Sequence, residues 1–227
     1  MKAARPPTEA SAAAVAHELS AADLERSGRL MAFNWLVAAY AHPEWLGTWA
    51  RLLEPRDGVS VRLLRRASAA LLESHDLTQR YLKQAEEHAW LLVPTASIQP
   101  VAQALCVAML GGWVRNGLER EQVMQQLQVL GPEQRAVAMN HAASLQALPY
   151  PETDDGWPMN RFEPSSVLGL GVSCMAVLLT DHDSGSRERF VMRFAKHLIV
   201  PLGLNAAQRA EALGLVRDLT GVARATS

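Results

Sequence analysis

The triplet Asp181-His182-Asp183 comes nearest in residue type to a metal site, since imidazoles and carboxylates are common metal ligands. Three adjacent residues in a loop point in different directions, and no further ligand lies close to them in sequence. The other six histidines are scattered, and neither His-Glu-x-x-His nor Glu-x-x-His occurs. The sequence therefore predicts a solvated turn here and no metal site.

The glycine pair in Gly169-Leu170-Gly171 matches the start of a dinucleotide-binding loop, but the third glycine and a preceding strand are missing. Close packing of two helices accounts for the pair better. Neither the phosphate-binding pattern Gly-x-x-x-x-Gly-Lys-Ser/Thr nor the nucleophile pattern Gly-x-Ser-x-Gly occurs. We predict no catalytic residue, no cofactor and no enzyme, although an enzyme whose catalytic residues are scattered along the chain stays open.

Aromatic and arginine side chains form the other conspicuous groups, and both residue types are favoured anchors in protein interfaces. Trp45 and Trp49, four residues apart, belong either to the core or to a half-exposed contact surface. Arg62, Arg65 and Arg66 form either an ordinary solvated helix face or a surface for an acidic protein, because arginine pairs with carboxylates through two hydrogen bonds. For Trp35, Leu36 and Tyr40, core positions are expected.

These side chains must be positioned by helices, since apolar residues recur at helical spacing and no strand pair is visible. The pattern over 59–74 places apolar residues opposite the arginines, and Gly131-Pro132 ends one helix and begins the next. The segment 98–114 is apolar nearly all round, which predicts a central helix. The fold class is therefore all-α.

Two further helices are predicted near the C-terminus. Over 187–200, an apolar face lies opposite a polar face; the polar face consists of Arg189, Arg193, Lys196 and His197. Asn205 and Gln208 form a capping box that opens a last helix. The inward residues of that helix are predicted to be Ala212, Leu215, Val216 and Leu219.

A proline-rich segment, 149–164, interrupts the helices, and it also carries large apolar side chains. We expect it to form an ordered loop that packs on the helices, because flexible linkers rarely contain such residues. Trp157, Arg161 and Phe162 make it a second candidate contact surface. Residues 28–227 are expected to form one compact helical adaptor domain, and the Ala/Pro-rich residues 1–27 a disordered or frayed extension.

Composition and charge restrict the partners and the location. The 227 residues carry a net charge of −1, so bulk attraction to nucleic acid is not expected. Cys106 and Cys174 lie within apolar helical runs, and such free cysteines suit a reducing compartment. The apolar stretch 167–179 is shorter than the ~20 residues of a membrane-spanning helix. We expect a cytoplasmic protein without direct membrane insertion.

The order of the segments can also be compared with known families. The features that matter are Ala39-Tyr40-Ala41-His42, Leu46-x-x-Trp49-x-x-x-Leu53-x-Pro55, Leu105-Cys106, the Leu130-Gly131 break, the proline-rich loop ending at Pro164, and a second small-residue apolar helix from Val167. In this order the chain, over roughly residues 30–200, resembles the SctK family, the YscK-like accessory proteins of the type III secretion sorting platform.

This resemblance implies a non-catalytic helical adaptor. Its partners would be an SctD-like inner-membrane ring protein and the SctQ-like platform protein, so it would lie at the cytoplasmic face of the inner membrane when assembled. Two contact surfaces are then expected, one with Trp45, Trp49 and the three arginines, the other in the proline-rich loop. A helical DNA-binding transcription regulator and a small-molecule enzyme are the alternatives.

Overall fold

A computed structural model describes residues 21–54, 58–80, 82, 89–117, 119–145, 164–179, 184–200 and 202–220. Within these ranges the regular secondary structure is helical, and none of the residues forms a strand. The predicted all-α fold class is confirmed.

The α-helices differ widely in length, from single turns to α7, which bends at its middle. In chain order they are α1 (Ala21–Trp35), α2 (Pro43–Leu46), α3 (Trp49–Leu52), α4 (Val61–Ser74), α5 (Thr95–Met109), α6 (Gly111–Asn116), α7 (Arg120–Leu145), α8 (Pro164–Val177), α9 (Ser184–Val191) and α10 (Ala206–Thr220). Short 3-10 helices are Val37–Ala39, Ala89–Leu92 and Lys196–Leu198. The predicted domain start at residue 28 lies inside α1.

Helix α5 lies at the centre of the larger hydrophobic core, where it packs most extensively against α8 and α7. Ile98, Leu105 and Leu110 are fully buried. The prediction of a central helix over 98–114 is confirmed, but the helix stops at Met109 and α6 begins at Gly111. Among the described residues, no helix is long and apolar enough to cross a membrane.

The glycines of α8 allow close contact with α5 and with the 3-10 helix Lys196–Leu198. A Cβ atom placed on Gly171 would lie 1.8 Å from the Ala102 carbonyl oxygen of α5, and one on Gly169 would lie 2.8 Å from that of Leu198. Neither position can hold a side chain unless the backbones move apart. The interpretation of Gly169 and Gly171 as packing residues is confirmed.

A second, smaller core forms where α4 packs against the 3-10 helix Val37–Ala39 and against α2. Ala67 and Leu71 of α4 are buried in it, as the helical pattern predicts. Ser60 caps α4, because its Oγ accepts a hydrogen bond from the Leu63 amide at 3.2 Å. Tyr40 and Trp45 pack against both cores and join them.

Two predicted helix boundaries are confirmed. Gly131 has φ 73° and ψ 166°, so it interrupts α7 at the predicted break before Pro132. At the start of α10, the Asn205 amide donates to Gln208 Oε1 at 2.8 Å, and the Gln208 amide donates to Asn205 Oδ1 at 3.0 Å. This reciprocal pair is the predicted capping box.

The predictions about the burial of two apolar side chains and about the length of one helix are wrong. Trp35, expected in the core, is 42% exposed at the end of α1, and Leu219 is 45% exposed near the end of α10. The helix expected over 187–200 ends at Val191, and the chain turns before the 3-10 helix Lys196–Leu198. The Phe194 and Leu198 amides bond carbonyls three residues back, so the tighter winding moves the following side chains off the predicted faces.

Candidate protein-interaction surface

The outer side of α4 carries the predicted arginines. Val61, Arg62, Arg65 and Arg66 are all exposed on the first two turns of the helix, and we call these four residues the arginine face. Val61 is 59% exposed although it is apolar. Because the opposite side of α4 is buried in the smaller core, the helix holds these side chains outward.

The arginine face is electrostatically unbalanced. None of its three arginines forms an ion pair with any acidic side chain in the described part of the chain. The first turn of α4 contains no acidic residue. Arg62 stands three and four residues from Arg65 and Arg66, spacings at which like charges repel on a helix.

Trp45, the first predicted aromatic anchor, makes internal contacts. Its Nε1 donates to the Phe194 carbonyl oxygen at 2.7 Å, and the Lys196 Nζ lies 4.8 Å from its ring centroid. Its ring meets the His75 ring edge-on at 5.6 Å between centroids. These contacts fix the turn after α9 onto α2, which is a structural role.

The structure therefore separates Trp45 from the arginine face. Trp45 contacts His75, which follows the last residue of α4, whereas Arg62 lies in the first turn of that helix. At about 1.5 Å per residue along the helix, the backbone of His75 lies about 14 Å from that of Arg66 and about 20 Å from that of Arg62. Trp49 is half-buried and packs against the smaller core.

The second predicted contact surface, Trp157, Arg161 and Phe162, lies outside the described residues, as does the proline-rich loop up to residue 163. His182 and Asp183 also fall outside them. Where the chain is described, no cluster of three or more His, Cys, Asp or Glu side chains has the arrangement of a metal site.

Arg189, predicted on the polar face of the helix over 187–200, is fully buried. Its guanidinium donates to the carbonyl oxygens of Leu77 at 2.9 Å, Gly185 at 3.2 Å and Asn34 at 3.3 Å, and also to that of Arg80. It thereby ties the segment after α4 to the end of α1 and to the start of α9.

Arg193 is the second residue of the predicted polar face that the structure buries. Its guanidinium donates to the Val93 carbonyl oxygen at 2.9 Å and to that of Leu91, and it lies 5.3 Å and 5.2 Å from the ring centroids of Phe33 and Tyr40. Burial lowers the pKa of Arg193 to about 10, an effect that the nearby Tyr40 hydroxyl opposes. The side chain remains charged at neutral pH, and carbonyl dipoles and aromatic faces solvate it.

No local signal in the sequence separates Arg189 and Arg193 from surface arginines. Apart from Gly185, which lies four positions before Arg189, the carbonyl partners come from segments about a hundred or more positions away in the chain, such as those of Leu77 and Leu91. These partners are backbone carbonyl oxygens, which every residue has, so the residue types do not indicate them.

Cys106 and Cys174 are free and buried, as expected, in facing helices α5 and α8. Burial raises the pKa of the Cys174 thiol to about 12 and raises that of Cys106 further, with Cys174 adding to the shift of Cys106. Both thiols are thus neutral and unreactive near neutral pH.

Known proteins were compared with the chain in three ways: by family models, by curated sequences and by solved structures. None of the three comparisons finds a match.

Proposed function

We propose that this protein is a non-catalytic adaptor of a type III secretion sorting platform, which links an SctD-like inner-membrane ring protein to an SctQ-like platform protein. In this role it acts in the cytoplasm, at the cytoplasmic face of the inner membrane, and needs no cofactor, no nucleic acid and no membrane insertion of its own.

The positions of the residues that carry the resemblance are compatible with this proposal. Leu46, Leu53, Leu105 and Cys106 are each at most 4% exposed. Ala41 is also fully buried. The resemblance thus concerns residues that determine packing, and packing residues maintain a common fold while surface residues change.

The arginine face is the single observation that supports the proposal most. Surface arginines are usually interspersed with acids, yet the three on α4 have no acidic partner within the described ranges. An adaptor requires a surface whose charge is completed by another protein, and arginine is enriched in such contacts.

Co-purification tests the proposal. Purified full-length protein is immobilised and exposed to the SctD-like cytoplasmic domain and the SctQ-like protein of the same secretion system, separately and together. We expect each to be captured alone and a ternary complex to form with both. A protein that binds neither, or that retains duplex DNA in a salt-dependent manner instead, contradicts the proposal.

A further inference from the structure

We infer that the arginine face of α4 binds a short acidic segment of a protein partner, in which two or three carboxylates within one helical turn flank an apolar side chain. The name of the partner rests on the proposed function, but the chemistry of the contact rests on α4 alone.

The spacing of the face defines the size of the segment. Val61 and Arg65 form one i, i+4 row, and Arg62 and Arg66 form the next. Each row spans about 6 Å along the helix axis, which is one turn. Three guanidinium groups around one apolar side chain match a single turn of a partner helix or a few residues of extended chain.

The arrangement is unfavourable for α4 itself. Arg62 lies in the first turn, near the positive end of the helix dipole, where a cation is disfavoured. Arg65 and Arg66 add like-charge repulsion at i+3 and i+4. The three arginines therefore destabilise their own helix, and no acidic side chain in the described part of the chain neutralises them. Such an arrangement fits a surface whose charge is balanced by an anion from outside the protein.

An acidic protein segment fits this surface better than a polyanion. A nucleic acid or an anionic membrane presents charge over many residues, whereas here exposed acids flank the arginines, with Glu54 before α4 and Glu73 two turns beyond Arg66. These acids would repel an extended polyanion. Exposed Val61 at the side of Arg65 suits an apolar side chain of a protein.

The test uses the full-length double variant Arg62→Glu/Arg66→Glu. The matched control is Arg26→Glu/Arg120→Glu, which reverses two exposed arginines on α1 and α7 and changes the net charge equally. Binding is measured at about 50 mM and 300 mM salt to the SctD-like and SctQ-like proteins, and to a synthetic helical peptide with glutamates at i, i+3 and i+4 around a leucine.

We expect the α4 variant to bind one of the two proteins, and the peptide, about tenfold more weakly or worse at low salt, and the control variant to bind like wild type. We also expect the α4 variant to melt about 2 °C higher than wild type, since the change at Arg62 puts a carboxylate in the first turn of the helix, where an anion is favoured. Higher stability of the variant combined with weaker binding shows that the arginines serve binding, because arginines that stabilise the fold would lower its stability when replaced.

Failure of the inference can be distinguished from failure of the proposed function. If both proteins bind the α4 variant as they bind wild type, the inference is wrong while the adaptor role stands. If neither protein binds wild type but the peptide binds through the arginines, the adaptor role fails and the inference stands. The inference is also wrong if the α4 variant melts at a lower temperature than wild type. It is wrong if the peptide binds none of the three proteins, or binds wild type, the α4 variant and the control variant equally. Tighter binding of wild type to phosphatidylserine vesicles or duplex DNA than to the peptide overturns it as well.

Discussion

Two helical segments of this chain carry arginines four residues apart, and the structure uses them in opposite ways. Arg62 and Arg66 of α4 are exposed, whereas Arg189 and Arg193, in and after α9, are buried. In both segments the sequence places the arginines opposite apolar residues. The same helical pattern therefore produces a charged surface in one region and internal cross-links in the other.

The difference depends on where each helix ends and on what surrounds it. α4 continues as a regular helix to Ser74, so its arginines stay on the side away from the core. α9 ends at Val191 inside the larger core, and nearby chain segments expose carbonyl oxygens to the two guanidinium groups. An arginine can be buried when carbonyl oxygens and aromatic rings replace its water.

Replacing Arg193 should strongly destabilise the buried region. Arg193→Met leaves the Leu91 and Val93 carbonyl oxygens without their donor and removes a cation from Phe33 and Tyr40. We expect a loss of about 3 kcal/mol in the free energy of unfolding, measured with urea.

The control for that variant is Arg187→Met, because Arg187 is partly exposed and pairs with neighbouring Glu188 at 2.8 Å. Its loss should be at most about 1 kcal/mol. If Arg193→Met costs no more than Arg187→Met, the buried contacts do not hold the fold and the contrast with α4 disappears.

The buried cysteines provide a pH test of the same core. A thiol whose pKa is raised in the folded state contributes full stability below its unfolded pKa, which is near 9.0, and loses that contribution as pH rises toward its folded value, about 12 for Cys174. At about pH 10 each buried thiol should lower the free energy of unfolding by about 1 kcal/mol relative to neutral pH.

Urea unfolding of wild type and Cys174→Ala at about pH 7 and pH 10 measures this loss. The variant should be less stable than wild type at about pH 7, because it contains a cavity, but its stability should fall less between the two pH values. If the free energy of unfolding depends on pH equally in the two proteins, water reaches the Cys174 thiol. The core would then not be the apolar environment in which Arg189 and Arg193 require carbonyl partners.

Trp45→Phe sharpens the comparison at the boundary between the two regions. The change removes the hydrogen bond from Nε1 to the Phe194 carbonyl oxygen, and we expect it to cost about 1 kcal/mol in the free energy of unfolding. Trp49→Phe, which removes no described hydrogen bond, should cost less. If Trp45→Phe is as stable as wild type but binds a partner more weakly, Trp45 belongs to the contact surface after all.

Local rules predict the parts of the fold that depend on neighbouring residues. The burial of Ala67 and Leu71, the break at Gly131, and the capping box of Asn205 and Gln208 all follow from spacing or backbone preference within a few positions. Periodicity fails where a helix stops without glycine or proline, as it does after Val191.

The candidate site shows the same limit. Exposure of Arg62, Arg65 and Arg66 follows from the amphipathic pattern of α4. The placement of Trp45 does not, because the carbonyl oxygen that it binds is 149 positions away. Which arginines bind a partner and which bind the protein itself is therefore decided by contacts distant in sequence.

One identical substitution in the two regions tests this account most directly. Arg189→Met and Arg66→Met each remove a guanidinium and keep a long apolar side chain, and urea unfolding is measured alongside binding to the SctD-like and SctQ-like proteins. We predict that Arg189→Met loses about 4 kcal/mol or fails to fold, whereas Arg66→Met stays within about 0.5 kcal/mol of wild type and binds one partner more weakly. Equal losses of stability in both variants, or a folded Arg66→Met protein that binds both partners normally, would contradict the account.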